Sequence, residues 1–183
     1  MHPDIEQILF SEEEISQCVK DMGAQITADF ADVAARGEKI VLISVLRGAA
    51  VFMSDLARCI NLPLEMDYMV VSSYGASTKT SGEVRILKDV SDSVAGKHII
   101  FAEDIIDSGL TLQYLERMFA SRGAASVTVA AFMRKDVPNQ VDVGARYVGF
   151  ICPPAFVVGY GLDYAERYRN LPYVGVLKPE VYS

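Results

Sequence analysis

Residues 103–111 read Glu-Asp-Ile-Ile-Asp-Ser-Gly-Leu-Thr, which sets three carboxylates, two hydroxyls and a glycine side by side. The apolar stretch 98–102 before them suits a buried strand, and the spacing of Leu112, Leu115 and Phe119 after them suits a helix. In open α/β sheets ligands sit beyond the carboxyl ends of the strands, so the loop following Ala102 is where chemistry is expected. Ser108, Gly109 and Thr111 fall where free backbone N–H groups and the positive end of a helix favour an anion. Two hydroxyls add donors there, and Gly109 puts no side chain in the way. That suits a monophosphate. The adjacent acids Glu103 and Asp104 offer acceptors to neighbouring hydroxyl donors, such as the 2′ and 3′ groups of ribose, and oxygens for Mg²⁺ directly or through water. Together the two halves describe a ribose 5-phosphate site. The same residues also allow a plainer reading, in which Asp107 and Ser108 cap a helix and Glu103-Asp104 is a solvated acidic turn.

The elements that must position this segment follow from periodicity. Ser11-Glu12-Glu13-Glu14 has the form of a capping box, and Ile15, Cys18, Val19, Met22, Ile26, Phe30 and Val33 recur at helical spacing in a helix that Gly37 ends. Residues 40–45 read as a buried strand. After Arg47-Gly48, the spacing of Phe52, Leu56 and Ile60 reads as a helix. Leu64, Met66, Tyr68 and Val70 alternate like a strand, whereas 72–82, dense in Ser, Thr and Gly, has neither period and reads as a mobile loop. Strands are expected again at 84–87, 98–102, 127–133 and 147–152, with a turn at Ala95-Gly96 and a helix end at Gly123. Strands alternating with helices imply an α/β fold with a largely parallel sheet covered on both faces. There is no internal repeat or low-complexity tract.

With 183 residues and 51% hydrophobic content, the chain can bury a full core as one domain spanning 1–183. A net charge of −7 and a pI near 4.8 argue against a nucleic-acid partner, since phosphate backbones are held through clustered Lys and Arg. Cys18, Cys59 and Cys152 lie far apart with no Cys-x-x-Cys or Cys/His cluster, so neither zinc nor a disulfide framework is indicated. No basic segment followed by an apolar one opens the chain, and no run of about 18 apolar residues occurs, so a cytoplasmic protein without a membrane anchor is expected. A mean hydropathy of +0.22 points to apolar surface covered by another copy, as in a homodimer or homotetramer.

The segment 99–111 resembles the phosphoribosyl pyrophosphate signature of type I phosphoribosyltransferases, and its Glu-Asp pair resembles the hypoxanthine-guanine branch. The resemblance continues through 41–56, through Ser72-Ser73-Tyr74-Gly75 to Gly82-Glu83-Val84, and through 156–168, and so covers nearly the whole chain. It implies the type I phosphoribosyltransferase fold, a mostly parallel twisted sheet flanked by helices with a small hood built from the terminal segments. It further implies transfer of the 5-phosphoribosyl group of phosphoribosyl pyrophosphate to hypoxanthine or guanine, with Mg²⁺ as cofactor.

By this resemblance Glu103 and Asp104 hold the ribose hydroxyls and, with Asp163, are candidate Mg²⁺ ligands. Asp107, Ser108, Gly109, Leu110 and Thr111 surround the 5-phosphate, and Asp107 is also the candidate general base or hydrogen-bond partner at purine N7. Lys135 donates to purine O6, Phe156 stacks on the base, and Val157 and Asp163 turn their backbone to it. Arg47, Gly48 and Arg169 meet pyrophosphate, with a Leu46-Arg47 peptide that can be cis. Ser73 and Tyr74 begin a lid running to Gly82, needed because water would trap the cationic sugar. Two departures stand out: Arg47 where many relatives have lysine, and Pro154 where relatives usually have an acidic or amide residue after the first proline. Taken alone, Lys135 reads as a surface charge, Phe156 as core and Arg169 as half of a surface ion pair. A non-catalytic nucleotide sensor that binds RNA is disfavoured by the charge, and an adenine or xanthine-guanine enzyme by Glu103-Asp104 and Lys135.

Overall fold

The run Ile40-Val41-Leu42-Ile43 is apolar at every position because both faces of the strand it forms are covered. A computed structural model describes residues 1–73, 84–137 and 140–182. In chain order the elements are β1 (Ile5–Phe10), α1 (Glu12–Asp29), α2 (Ala31–Ala35), β2 (Ile40–Leu46), α3 (Ala50–Cys59), β3 (Glu65–Ser73) and β4 (Val84–Lys88). There follow β5 (His98–Ile106), α4 (Leu110–Ser121), β6 (Ser126–Lys135), β7 (Ala145–Cys152), β8 (Val157–Val158), β9 (Val174–Leu177) and α5 (Pro179–Tyr182).

Six strands form the large sheet in the order β4-β3-β2-β5-β6-β7. All neighbours run parallel except β4, which returns antiparallel along β3. Alternate residues of each central strand enter different cores. Leu42, Ile100, Ala102, Ala130 and Phe132 pack with Ile15, Val19, Met22 and Ile26 of α1 and Phe52 and Leu56 of α3. Val41, Ile43, Ile99, Phe101, Val129 and Ala131 pack with Leu112, Leu115 and Phe119 of α4. Each fully buried Leu, Ile or Phe contributes about 1.5–3 kcal/mol, so these two layers fix the strands against one another and hold their carboxyl ends in register.

The capping box at Ser11 forms with both of its hydrogen bonds, Glu14 N to Ser11 Oγ at 3.2 Å and Ser11 N to Glu14 Oε2 at 2.8 Å. The helix it starts is not continuous to Gly37, as the spacing suggested. It stops at Asp29, and Phe30 (φ −105°, ψ 7°) redirects the chain into α2. Phe30 is buried with its ring edge-on to His98, so burying this ring outweighs carrying the helix straight on. The second correction bears on function: β5 extends four residues past Ala102 to Ile106, and Glu103 and Asp104 are strand residues rather than loop residues.

The hood implied by the resemblance is a three-stranded antiparallel sheet, β1-β9-β8, pairing Ile5 with Leu177 and Val157 with Val176. Val157, Val174 and Val176 join the core on the α1 and α3 side, while Ile5, Val158, Tyr168 and Leu177 form a small cluster of their own. None of the described helices is long and apolar enough to cross a membrane.

Candidate active site

The carboxyl ends of β2, β5 and β6 lie side by side at one end of the large sheet, and the hood loop 159–169 meets the segment after β2 through Gly161 and Glu166. After β2 the Leu46-Arg47 peptide is cis. Gly48 then passes against Asp104: a Cβ on Gly48 would lie 1.7 Å from Asp104 Oδ2 and 2.8 Å from its Cγ, so any larger residue would displace that carboxyl. From the hood, Gly161 (φ +99°) approaches so closely that a Cβ there would lie 2.0 Å from the Gly48 carbonyl oxygen.

Glu103 and Asp104 are both half-buried, Asp104 being the one that Gly48 packs against. Among the described residues Glu103 Oε2 is shielded from solvent and has no hydrogen-bond partner. Burial, then the neighbouring Asp104 charge, hold the Glu103 carboxyl well above the usual carboxylate range. Burial raises Asp104 too, against the N–H of Ile105 (2.8 Å to Oδ1) and the Arg169 guanidinium, while Asp163 adds to the rise. Carboxylates held this way gain from hydroxyl donors or a cation.

The β5–β6 ladder ends at Ile106 opposite Arg134. One step further, Lys135 Nζ lies 3.2 Å from Asp107 Oδ2, with side chains 28% and 65% exposed respectively. A pair this open contributes at most about 1 kcal/mol to stability. Its consequence is chemical, since it presents a cationic donor beside an anionic acceptor at the sheet edge. Lys135 is therefore not a free surface charge.

At the start of α4 the N-cap is Gly109 in the left-handed region (φ +81°), and no side chain caps the helix. A Cβ at Gly109 would lie 2.9 Å from both Val141 O and Val143 Cγ1. Ser108 Oγ accepts from Leu110 N only at 3.4 Å. The plain capping reading of Asp107 and Ser108 is thus not what the helix uses. Its first N–H groups, with the Ser108 and Thr111 hydroxyls alongside, make a cradle suited to an anion.

The two arginines are tethered to the hood loop. Arg47 Nη1 lies 2.7 Å from Glu166 Oε2. Arg169 Nη2 lies 2.9 Å from Asp163 Oδ1 and 3.5 Å from Glu166 Oε2, and Arg169 Nη1 donates to Gly161 O at 2.8 Å. Arg169 Nε is buried without a partner among the described residues. Asp163 Oδ2 accepts from Glu166 N at 2.9 Å, so both Asp163 oxygens are engaged. Among the described residues no three His, Cys, Asp or Glu side chains form a group able to hold a metal ion. The expected set Glu103, Asp104 and Asp163 is therefore not gathered into a protein cage.

Phe156 is not core: it is 40% exposed, with Tyr182 stacked on its ring at 4.8 Å and Tyr164 edge-on at 5.5 Å. Before it, Ala155 N donates to Pro153 O at 2.7 Å, closing a turn through Pro154. Val157 is buried in β8, and Ser73 is the last residue of β3. Tyr74, with the rest of the expected lid to Gly82, lies outside the described residues. Residue types and spacing did not single out Glu166, Tyr182 or Gln140. Glu166 falls inside the matched segment 156–168 without a role of its own there, and a lone Tyr or Gln carries no motif.

The phosphoribosyl transferase domain matches residues 8–165. The chain belongs to that family. It is 54% identical over 183 residues to the hypoxanthine-guanine phosphoribosyltransferase of Bacillus subtilis (strain 168), covering 100% of this chain and 99% of that one. It is 50% identical, with the same coverage, to the enzyme of that name from Streptococcus thermophilus (strain CNRZ 1066). A hypoxanthine phosphoribosyltransferase from Staphylococcus aureus superposes with a TM-score of 0.93 at 44% identity, covering 100% of this chain and 97% of that one. The enzyme from Trypanosoma cruzi in complex with the product IMP superposes at 0.90 with 40% identity, covering 100% and 99%. The sheet, its flanking helices and the hood are thus the type I phosphoribosyltransferase fold.

Proposed function

We propose that this protein is a purine-salvage enzyme that transfers the 5-phosphoribosyl group of phosphoribosyl pyrophosphate to N9 of hypoxanthine or guanine, giving IMP or GMP and pyrophosphate. The observation that carries the reading is the Asp107–Lys135 pair at 3.2 Å, next to the uncapped start of α4. A 6-oxopurine presents N7 and O6 side by side, and the pair offers one partner for each. Lys135 donates to O6, while Asp107 takes or shares the N7 proton as N9 attacks C1′. The Ser108–Thr111 cradle takes the 5-phosphate, Glu103 and Asp104 accept from the ribose hydroxyls, and the exposed face of Phe156 stacks on the base, with Val157 and Asp163 backbone beside it.

Arg47, Gly48 and Arg169 form the pyrophosphate side. Two guanidinium groups stand there, and both already pair with Asp163 or Glu166 of the hood loop, so an incoming pyrophosphate gains from further positive charge. An all-oxygen, carboxylate-rich site of this kind fits Mg²⁺, which is commonly held by one or two carboxylates together with substrate phosphates. Glu103 and Asp104 would hold it, with Asp163 nearby. When bound, it supplies neutralisation of the leaving pyrophosphate. The chain's own part is to exchange the Arg47 and Arg169 contacts with Glu166 and Asp163 for contacts with phosphate oxygens as the substrate enters. We read residues 1–183 as one domain of a cytoplasmic homodimer or homotetramer. The test is pyrophosphate release from phosphoribosyl pyrophosphate with each of hypoxanthine, guanine, xanthine and adenine. Turnover with the first two is expected, and turnover with none would overturn the reading.

A further inference from the structure

Backbone carbonyls beyond the end of a ladder need new partners. Where the β5–β6 ladder stops, one side chain supplies them. Gln140 Nε2 lies 3.1 Å from the carbonyl oxygen of Ile106, 2.5 Å from that of Asp107 and 3.2 Å from that of Lys135. Its Oε1 accepts from Arg134 Nε. An amide has two N–H bonds, so three carbonyls share them, and every one of these contacts falls on the last residues of β5 and β6 or the residue just after. The next residue continues the attachment: Val141 N donates to Ser108 O at 2.9 Å, and Val141 O is one of the two atoms that a Cβ on Gly109 would meet at 2.9 Å.

We propose that Gln140 is a positioning residue for the reaction. Its carboxamide stands in for the missing ladder and fixes the spacing of Asp107 and Lys135, so that the two meet N7 and O6 of one purine together. This rests on the purine-site reading above. The chemistry is demanding, because the group must donate to carbonyls and accept from a guanidinium at once. Methionine fills similar space without donors, and a glutamate carboxylate would face three carbonyl oxygens.

The test measures kcat/KM for hypoxanthine at saturating phosphoribosyl pyrophosphate, with melting temperature, in wild type, Lys135→Met, Gln140→Met, Gln140→Glu and the Lys135→Met/Gln140→Met double variant. Gln140→Met is expected to lose about 10-fold, as small misplacements of reacting groups do, and Gln140→Glu at least as much. The double variant is expected to fall no more than about twofold below Lys135→Met, since with one member of the pair gone there is no spacing left to keep. Should Gln140→Met fail to fold, Gln140→Asn, which holds the amide one methylene short, carries the same comparison. If Gln140→Met keeps full kcat/KM while Lys135→Met loses it, the proposal is wrong and the purine site stands. Losses that multiply in the double variant also overturn it, because Gln140 would then act elsewhere. If Lys135→Met has no effect, the purine-site reading fails and takes the proposal with it.

Discussion

The two ends of the large sheet use the same residue types to opposite effect. At the amino end, Glu38 accepts from Arg36 at 2.7 Å and lies 2.8 Å from His98 Nε2, and the other ring nitrogen of His98 lies 2.8 Å from Ser126 Oγ. Glu65 accepts from Lys39 and Lys97, each at 2.7 Å. These partners hold the Glu38 and Glu65 carboxyls below the usual range. At the carboxyl end, Glu103 and Asp104 are held above it, and Glu103 Oε2 and Arg169 Nε are buried without partners among the described residues. The loop above them carries positive φ at Tyr160, Ala165, Glu166 and Tyr168, each a cost of about 1–3 kcal/mol. One end is satisfied by the fold. The other keeps unpartnered polar atoms beneath its ion pairs, the kind of local inconsistency expected at a functional site rather than in a purely structural layer.

The strongest way to break this contrast is Asp107→Asn. Asp107 is exposed and its pair with Lys135 is open, so the melting temperature should hold, while kcat falls roughly 10- to 1,000-fold, the range for losing a positioned base. An unchanged kcat would return Asp107 to a merely local role at the start of α4. Next in size is Lys135→Met, for which we expect kcat/KM for both oxopurines to drop at least about 10-fold, equivalent to about 1.4 kcal/mol. Discrimination against adenine should narrow as well, because a lysine without an acceptor no longer penalises the amino group. Ratios among hypoxanthine, guanine and adenine that match wild type would remove Lys135 from the base pocket.

A stability measurement sharpens the contrast from the other side. A carboxyl whose folded value is raised makes folding less favourable as pH climbs past the ordinary carboxylate value of 4.5 and through the raised one, because the unfolded chain ionises first. Glu103→Gln removes that cost. Near neutral pH the ligand-free variant should melt about 2–4 °C higher, on the order of 1 kcal/mol, while kcat/KM for phosphoribosyl pyrophosphate falls. A lower melting temperature would mean that Glu103 is satisfied after all.

Much of this is legible in the sequence itself. The central strands announce themselves as apolar runs because both faces are covered, and residues 103–111 gather three carboxylates, two hydroxyls and a glycine in one contiguous stretch. The hood was not legible from pattern. β8 has two residues, β9 has four, and β1 pairs with a strand some 170 residues away, so no local period marks them. Their existence came only from the family resemblance. Single residues are hidden for a related reason: Gln140 reaches the ends of β5 and β6 and Glu166 reaches Arg47 after β2, contacts that spacing along the chain does not encode. Even the element that carries Glu103 and Asp104 is not marked by pattern, since two acids after an apolar run look like the end of a strand. Here the strand continues through them, because Glu103 still pairs with Ala131 and Ile105 with Met133.

The smallest expected effect lies at the amino end. Arg36, and then His98, lower the Glu38 carboxyl to about 2 from its ordinary 4.5. A depressed folded value means the unfolded chain takes up the proton first. The contribution of Glu38 is therefore complete above about pH 4.5 and is lost as pH falls towards 2. The side chain is exposed and solvent screens it, so the effect should be slight. We expect Glu38→Gln to lower the urea midpoint a little near neutral pH, with wild type and variant converging as the pH drops below 4 and kcat/KM unchanged throughout. The measurement is a set of urea midpoints between pH 3 and 7 beside one activity assay. Midpoint curves that stay parallel down to pH 3 would show that the carboxylate charge contributes nothing. A fall in kcat/KM would show that the amino end is not purely structural, and the division of labour between the two edges would be wrong.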